Sequence, residues 1–192
     1  FIISCILSVS ALILSAAPVS IIPQPAEVAV GQGSFPLNAS TVYVVDFDDP
    51  KVEYAIEFFN GVSNELFGTG LSLAKSARSN AIFIRKDETI AEEGYILEVT
   101  PKMIEIAASS PSGVYYAFQS LRQMVPAEAL GGYKIENVDI QAARIKDEPK
   151  MKYRGFLMDV GRHFFDVKEI KTFIDVVAMH KMNVFHWHLT ED

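Results

Sequence analysis

Cysteine is nearly missing from this chain: Cys5 is the only one in 192 residues. A disulfide framework is therefore excluded, although periplasm or exterior remains open to a protein that needs none. Charge is missing from residues 1–22. Basic residues are in the minority, 17 Lys and Arg against 24 Asp and Glu for a net charge of −7, and they are dispersed. No basic stripe suits nucleic acid. Internal repeats and low-complexity tracts are also lacking, which removes solenoids and disordered linkers. What is present is 49% hydrophobic and 11% aromatic residues, enough for a packed core in one domain or one and a fraction.

The uncharged start, Phe1-Ile-Ile-Ser-Cys-Ile-Leu-Ser-Val-Ser-Ala-Leu-Ile-Leu14 followed by Ser15-Ala-Ala17, reads as the apolar part of a secretory signal without its basic head. Residues 1–20 are assigned to it, and a secreted or periplasmic location is expected. A retained membrane anchor is the alternative, since the run is about long enough to span. Ser and Pro interrupt its second half. Once the signal is removed, no stable membrane span is expected.

Residues 21–146 read as one small α+β domain. Thr41–Asp46 and Ala81–Arg85 are β-branched or apolar strands, and residues 95–100 and 103–108 form a hairpin around Pro101-Lys102. Val52, Ala55, Ile56, Phe59, Val62 and Leu66 share one helical face; Val114, Phe118, Leu121 and Val125 share another. Locally pairing strands with two helices on one face are expected. Residues 144–152, rich in charge and carrying Pro149, read as a link. From about residue 150 the grammar changes. Arg154–Val160 reads as a buried strand, and Asp166-Val-Lys-Glu169 as a capping box. Ile170, Phe173, Ile174 and Val177 are the inward stripe of the helix that follows, and Asn183–Leu189 is a second strand. Strand, helix, strand at this spacing predicts a parallel βαβ unit that needs further chain to cover its faces.

Chemistry-bearing residues crowd the exits of those two strands, where (β/α) barrels build their sites. Arg162 offers a rigid fork of donors suited to vicinal hydroxyls or a carboxylate; a surface arginine paired with Asp159 or Glu191 is the competing role. His186 and His188 share one strand face with Trp187 on the other. Such a pair could ligate zinc or simply pack and hydrogen-bond. Glu191-Asp192 could bind hydroxyls or tune an acid by repulsion, or cap a loop. The doublets Asp87-Glu88 and Asp147-Glu148 read as solvated.

Arg154-Gly-Phe-Leu-Met-Asp-Val-Gly-Arg-His-Phe164 and Asn183-Val-Phe-His-Trp-His-Leu-Thr-Glu-Asp192 resemble glycoside hydrolase family 20, the β-N-acetylhexosaminidases. Ile22-Pro-Gln-Pro25 and Ser110-Pro-Ser-Gly-Val-Tyr-Tyr-Ala-Phe-Gln-Ser-Leu121 resemble the small domain that precedes the barrel in this family. The resemblance implies an α+β N-terminal domain, a small sheet with two helices, followed by the first βαβ portion of a truncated TIM (β/α)8 barrel. It implies removal of terminal β-linked N-acetylhexosamine by substrate-assisted retaining catalysis, with no cofactor and no metal. The partners would be N-acetylhexosamine-containing glycans. Arg162 matches the family arginine that grips sugar hydroxyls. Glu191 matches an acidic position, usually Asp, that supports the general acid. The Asp-Glu pair that orients the acetamido group and protonates the leaving oxygen follows the fourth barrel strand, so it is not among these residues. Two other classes stay open: a metal-dependent barrel hydrolase using His186 and His188, and a non-catalytic carbohydrate-binding module made of the small domain.

Overall fold

A computed structural model describes residues 19–190. The signal assignment, Glu191 and Asp192 lie outside the described residues. No helix among the described residues is long and apolar enough to cross a membrane.

The first unit is a seven-stranded mixed sheet. Its strands in chain order are β1 (Glu27–Asn38), β2 (Val42–Asp46), β3 (Ser72–Leu73), β4 (Ala81–Lys86), β5 (Tyr95–Val99), β6 (Met103–Ala108) and β7 (Asn137–Asp147). They lie side by side as β1-β7-β5-β6-β4-β2-β3. Strands β2, β4 and β6 run parallel, whereas β5 is antiparallel to both β6 and β7. The hairpin is therefore as expected, but local pairing is not the rule. A parallel neighbour requires a crossover, and helix α1 (Val52–Phe67) supplies one between β2 and β4. The first strand pairs with the last, Glu27 opposite Lys146.

Two features of this sheet were not foreseen. β1 is an edge strand whose register shifts between Val30 and Ser34. Its Gly33 sits at φ 81°, a conformation open to glycine at little cost. β7 runs through Asp147, so half of the charged segment taken for a link is sheet. Its Ile140 and Ile145 are buried while Arg144 is exposed.

Both helices of this unit behave as their spacing predicts. All six residues of the α1 stripe are buried. The helix ends at Gly68 (φ 81°), whose N–H donates to the Asn64 carbonyl, a left-handed cap. Helix α2 (Pro111–Met124) opens with Ser110, whose hydroxyl accepts from the Gly113 N–H at 3.3 Å, and with Pro111 in its first turn. Phe59 of α1 stacks on Phe118 of α2 with centroids 4.9 Å apart, and Tyr43 of β2 meets Phe118 edge-on at 6.1 Å. This cluster is the core.

Gly113 lets α2 lie close against the sheet. A Cβ there would run into the Gly94 carbonyl oxygen and come within 2.9 Å of the Ala108 Cβ. Helix propensity favours alanine by about 1 kcal/mol, but overpacking against backbone costs about 1–3 kcal/mol. Gly113→Ala is therefore expected to lower the denaturant midpoint, by up to about 2 kcal/mol net. A midpoint raised by the substitution would show that α2 can shift outward freely.

The second unit is β8 (Gly155–Asp159), helix α3 (Val167–Met179) and β9 (Val184–His188). β8 and β9 pair in parallel, from Gly155 opposite Val184 to Asp159 opposite His188. The capping box is complete: Asp166 accepts from the Glu169 N–H and Glu169 accepts from the Asp166 N–H, both at 2.8 Å. Ile170 and Val177 are buried, and Phe173 packs its ring on Phe156 at 4.8 Å and Phe185 at 5.8 Å. Ile174 is exposed instead. The strand taken as buried is only partly so here: Phe156 is 45% and Trp187 47% exposed.

Candidate active site

Phe156 and Phe185 touch α3 through Phe173, and Trp187 lies beside Phe185 at 6.1 Å. Strand alternation then turns Leu157, Asp159, His186 and His188 to the face away from the helix. Both imidazoles share that face and Trp187 takes the other, as the sequence implied. Asp159 and His188 are register partners at the carboxyl ends of their strands.

Asp159 organises this rim. Its Oδ1 accepts from the Gly161 N–H at 3.0 Å and the Arg162 N–H at 3.1 Å, and lies 3.3 Å from His188 Nδ1. Its Oδ2 accepts from Arg162 Nη1 at 3.0 Å. The Arg162 amide, then His188 and the Arg162 guanidinium, hold the Asp159 carboxyl below the usual carboxylate range. Arg162 pairs with Asp159 as the competing role proposed, yet its side chain is 73% exposed. It is both anchored and presented. Among the described residues, no group of three or more His, Cys, Asp or Glu is placed to hold a metal ion.

The opposite ends of β8 and β9 carry a cluster that sequence reading missed. Arg154, just before β8, makes a two-pronged pair with Glu93: Nη2 to Oε1 at 2.9 Å and Nη1 to Oε2 at 3.0 Å. It also donates from Nε to the Lys181 carbonyl at 2.8 Å and from Nη2 to the Tyr116 hydroxyl at 3.1 Å. Lys181, in the turn before β9 at φ 57° and only 6% exposed, donates to Asp147 Oδ2 at 2.7 Å and to the Tyr95 hydroxyl at 2.8 Å. Burial pulls its ammonium below the ordinary lysine range, against the opposing pull of Asp147. Asp147 is thus no solvated doublet; it also accepts from Tyr95. Asp87 likewise pairs with Arg85 at 3.0 Å, while Glu88 stays at the surface beside Lys86.

These two ion pairs lock the second unit onto the first. Beside them lies a cleft of about 340 Å³ lined by Pro23, Tyr95, Met151, His180 and Lys181 among others. It sits at the amino ends of the strands, away from Arg162, with Arg154 paired to Glu93 and Lys181 to Asp147. The rim at the carboxyl ends is the candidate site.

Comparison with known proteins agrees over the whole described chain. The model for glycosyl hydrolase family 20, domain 2, matches residues 18–148, and that for the family 20 catalytic domain matches residues 151–192. A beta-hexosaminidase of Porphyromonas gingivalis is 34% identical over 177 residues, covering 91% of this chain and 23% of that protein. A beta-N-acetylhexosaminidase of Cellulomonas fimi is 31% identical over 179 residues, covering 91% of this chain and 35% of that protein. The chain thus spans well under half the length of these relatives. Among solved structures, a mutant Streptomyces plicatus beta-hexosaminidase in complex with product (GlcNAc) has a TM-score of 0.82 at 28% identity, with 92% of this chain and 36% of that one covered. The family 20 exo beta-N-acetylglucosaminidase of Vibrio harveyi in complex with N-acetylglucosamine has a TM-score of 0.76 at 27% identity, with 88% of this chain and 25% of that one covered. With both domain types matched in order along one sequence, the chain belongs to glycosyl hydrolase family 20.

Proposed function

We propose that the full-length protein is an exo-acting β-N-acetylhexosaminidase that removes terminal β-linked N-acetylhexosamine from glycans. The observation that carries this reading is Arg162, exposed at the carboxyl end of β8 and steadied by Asp159, in a chain of this family. In this reading β8, α3 and β9 begin a (β/α)8 barrel. Residues 21–146 are the small domain before it, residues 150–192 are its first portion, and Leu157, Asp159, His186 and His188 face its interior. Residues 1–20 act as a secretion signal.

The substrate's acetamido oxygen attacks the anomeric carbon, so that the sugar itself supplies the nucleophile. A carboxylic acid protonates the leaving oxygen, a role that contributes typically about 10²–10⁴-fold. Arg162 binds hydroxyls of the terminal sugar. Glu191 supports the acid, with one methylene more reach than the usual Asp. The Asp-Glu pair of that step belongs after the fourth barrel strand, so these 192 residues alone should give no turnover. The chemistry uses no metal or other cofactor, and His186 and His188 pack and hydrogen-bond.

The test is turnover by the full-length protein of a chromogenic N-acetyl-β-glucosaminide and of the β-glucoside that lacks the acetamido group. Hydrolysis of the first alone, with the anomer retained and no response to a chelator, is expected. Equal hydrolysis of both would remove the acetamido group from the mechanism. Loss of activity in chelator would restore the metal-dependent class.

A further inference from the structure

We propose that Asp159 is a positioning residue that presets both Arg162 and His188 for the sugar. The proposal rests on the reading of Arg162 as a sugar-binding residue. An exposed arginine and carboxylate three residues apart ordinarily contribute little. Asp159 differs in what else it holds. A carboxylate has about four acceptor directions, and four donors converge here: the Gly161 and Arg162 amides, Arg162 Nη1, and His188 Nδ1.

Three of these donors meet Oδ1 and one, the Arg162 guanidinium, meets Oδ2. Asp159 acts through these neighbours. The two amides also fix its carboxylate to the turn after β8, independently of the guanidinium. The anchor is therefore stiffer than the side chain it holds. Arg162, long and mostly exposed, would otherwise lose rotamer freedom each time substrate bound. An anchored Nη1 removes part of that loss in advance.

His188 is fixed by the same group from the neighbouring strand. A carboxylate beside Nδ1 keeps a proton on that nitrogen and fixes the orientation of the ring. One carboxylate thus orients a guanidinium on β8's turn and an imidazole on β9, on the face away from α3.

The experiment is a kinetic cycle in the full-length enzyme with a chromogenic N-acetyl-β-glucosaminide, using Asp159→Asn, Arg162→Ala and the double variant. Asparagine keeps an oxygen for the two amides but loses the charge. Asp159→Asn is expected to raise KM by about tenfold, with a melting temperature close to the parent's. In the Arg162→Ala background the same change should cost clearly less, the remainder being what Asp159 exerts through His188. Equal losses in both backgrounds, or a loss that follows the melting temperature, would overturn the proposal. The second readout is the ¹⁵N signal of the His188 ring, expected to report a proton on Nδ1 that Asp159→Asn removes. An unchanged signal would also overturn it. If the parent enzyme does not turn over the substrate, the proposed activity fails, and the His188 signal alone decides whether Asp159 sets the ring.

Discussion

Arg154→Ala is expected to cost stability, approaching but not exceeding the ~3–5 kcal/mol lost when one partner of a fully buried ion pair is removed. The pair is well enclosed, with side-chain exposure of 15% for Arg154 and 23% for Glu93. Truncation also strips the Lys181 and Met151 carbonyls of a donor. Denaturant unfolding measures the loss, and hydrogen exchange locates it. Amides of β8 and β9 should open well before those of β5 and β6. Arg154, chiefly through its hydrogen bonds, holds the Glu93 carboxyl below its ordinary value of 4.5. That contribution is fully present above the ordinary glutamate range and is lost as pH falls through the lowered folded value. The parent should release its second unit on acidification, and Arg154→Ala should lack this acid step. Uniform exchange across both units would show that they are held together by something else.

Arg162→Ala in the full-length enzyme is expected to lower kcat/KM by about 10- to 200-fold, from lost hydrogen bonds to a charged group of about 1.5–3 kcal/mol. Its ion pair with Asp159 is a surface one that contributes little, so the melting temperature should hardly move. Unchanged kinetics in a destabilised variant would return Arg162 to the scaffold. Kinetics and melting measured on one preparation separate the two.

Periodicity made the helices legible. The stripes of α1 and α2 were readable because each buries one face only, and the Asp166–Glu169 box because its chemistry is local. β1 was invisible because Gly31, Gly33, Pro36 and a register shift break its alternation. Proline is tolerated there because an edge strand has amides that need no ladder partner. The end of β7 was misread because Arg144 and Lys146 stand on its solvent face, so a strand looked like a charged link. Arg162 was found because a resemblance singled it out. Asp159 appeared only as a possible partner for it. Glu93 and Lys181 gave no signal and Asp147 read as solvated, since the pairs Glu93–Arg154 and Asp147–Lys181 span 61 and 34 positions and depend on the docking of two units.

The pairing of β1 with β7 has a consequence for biosynthesis. Ala26 and Asp147 meet across 121 positions, so on the ribosome β1 waits without its partner. At roughly 5–20 residues per second that wait lasts roughly 6–25 seconds. An unpaired, regular edge in a nascent chain is a template for the wrong partner. The glycines, proline and shifted register that hide β1 from sequence reading also make it a poor template during that interval. The strand that completes the sheet ends on Asp147, the acceptor awaiting Lys181 34 positions later. The second unit therefore emerges onto a docking surface that is already finished.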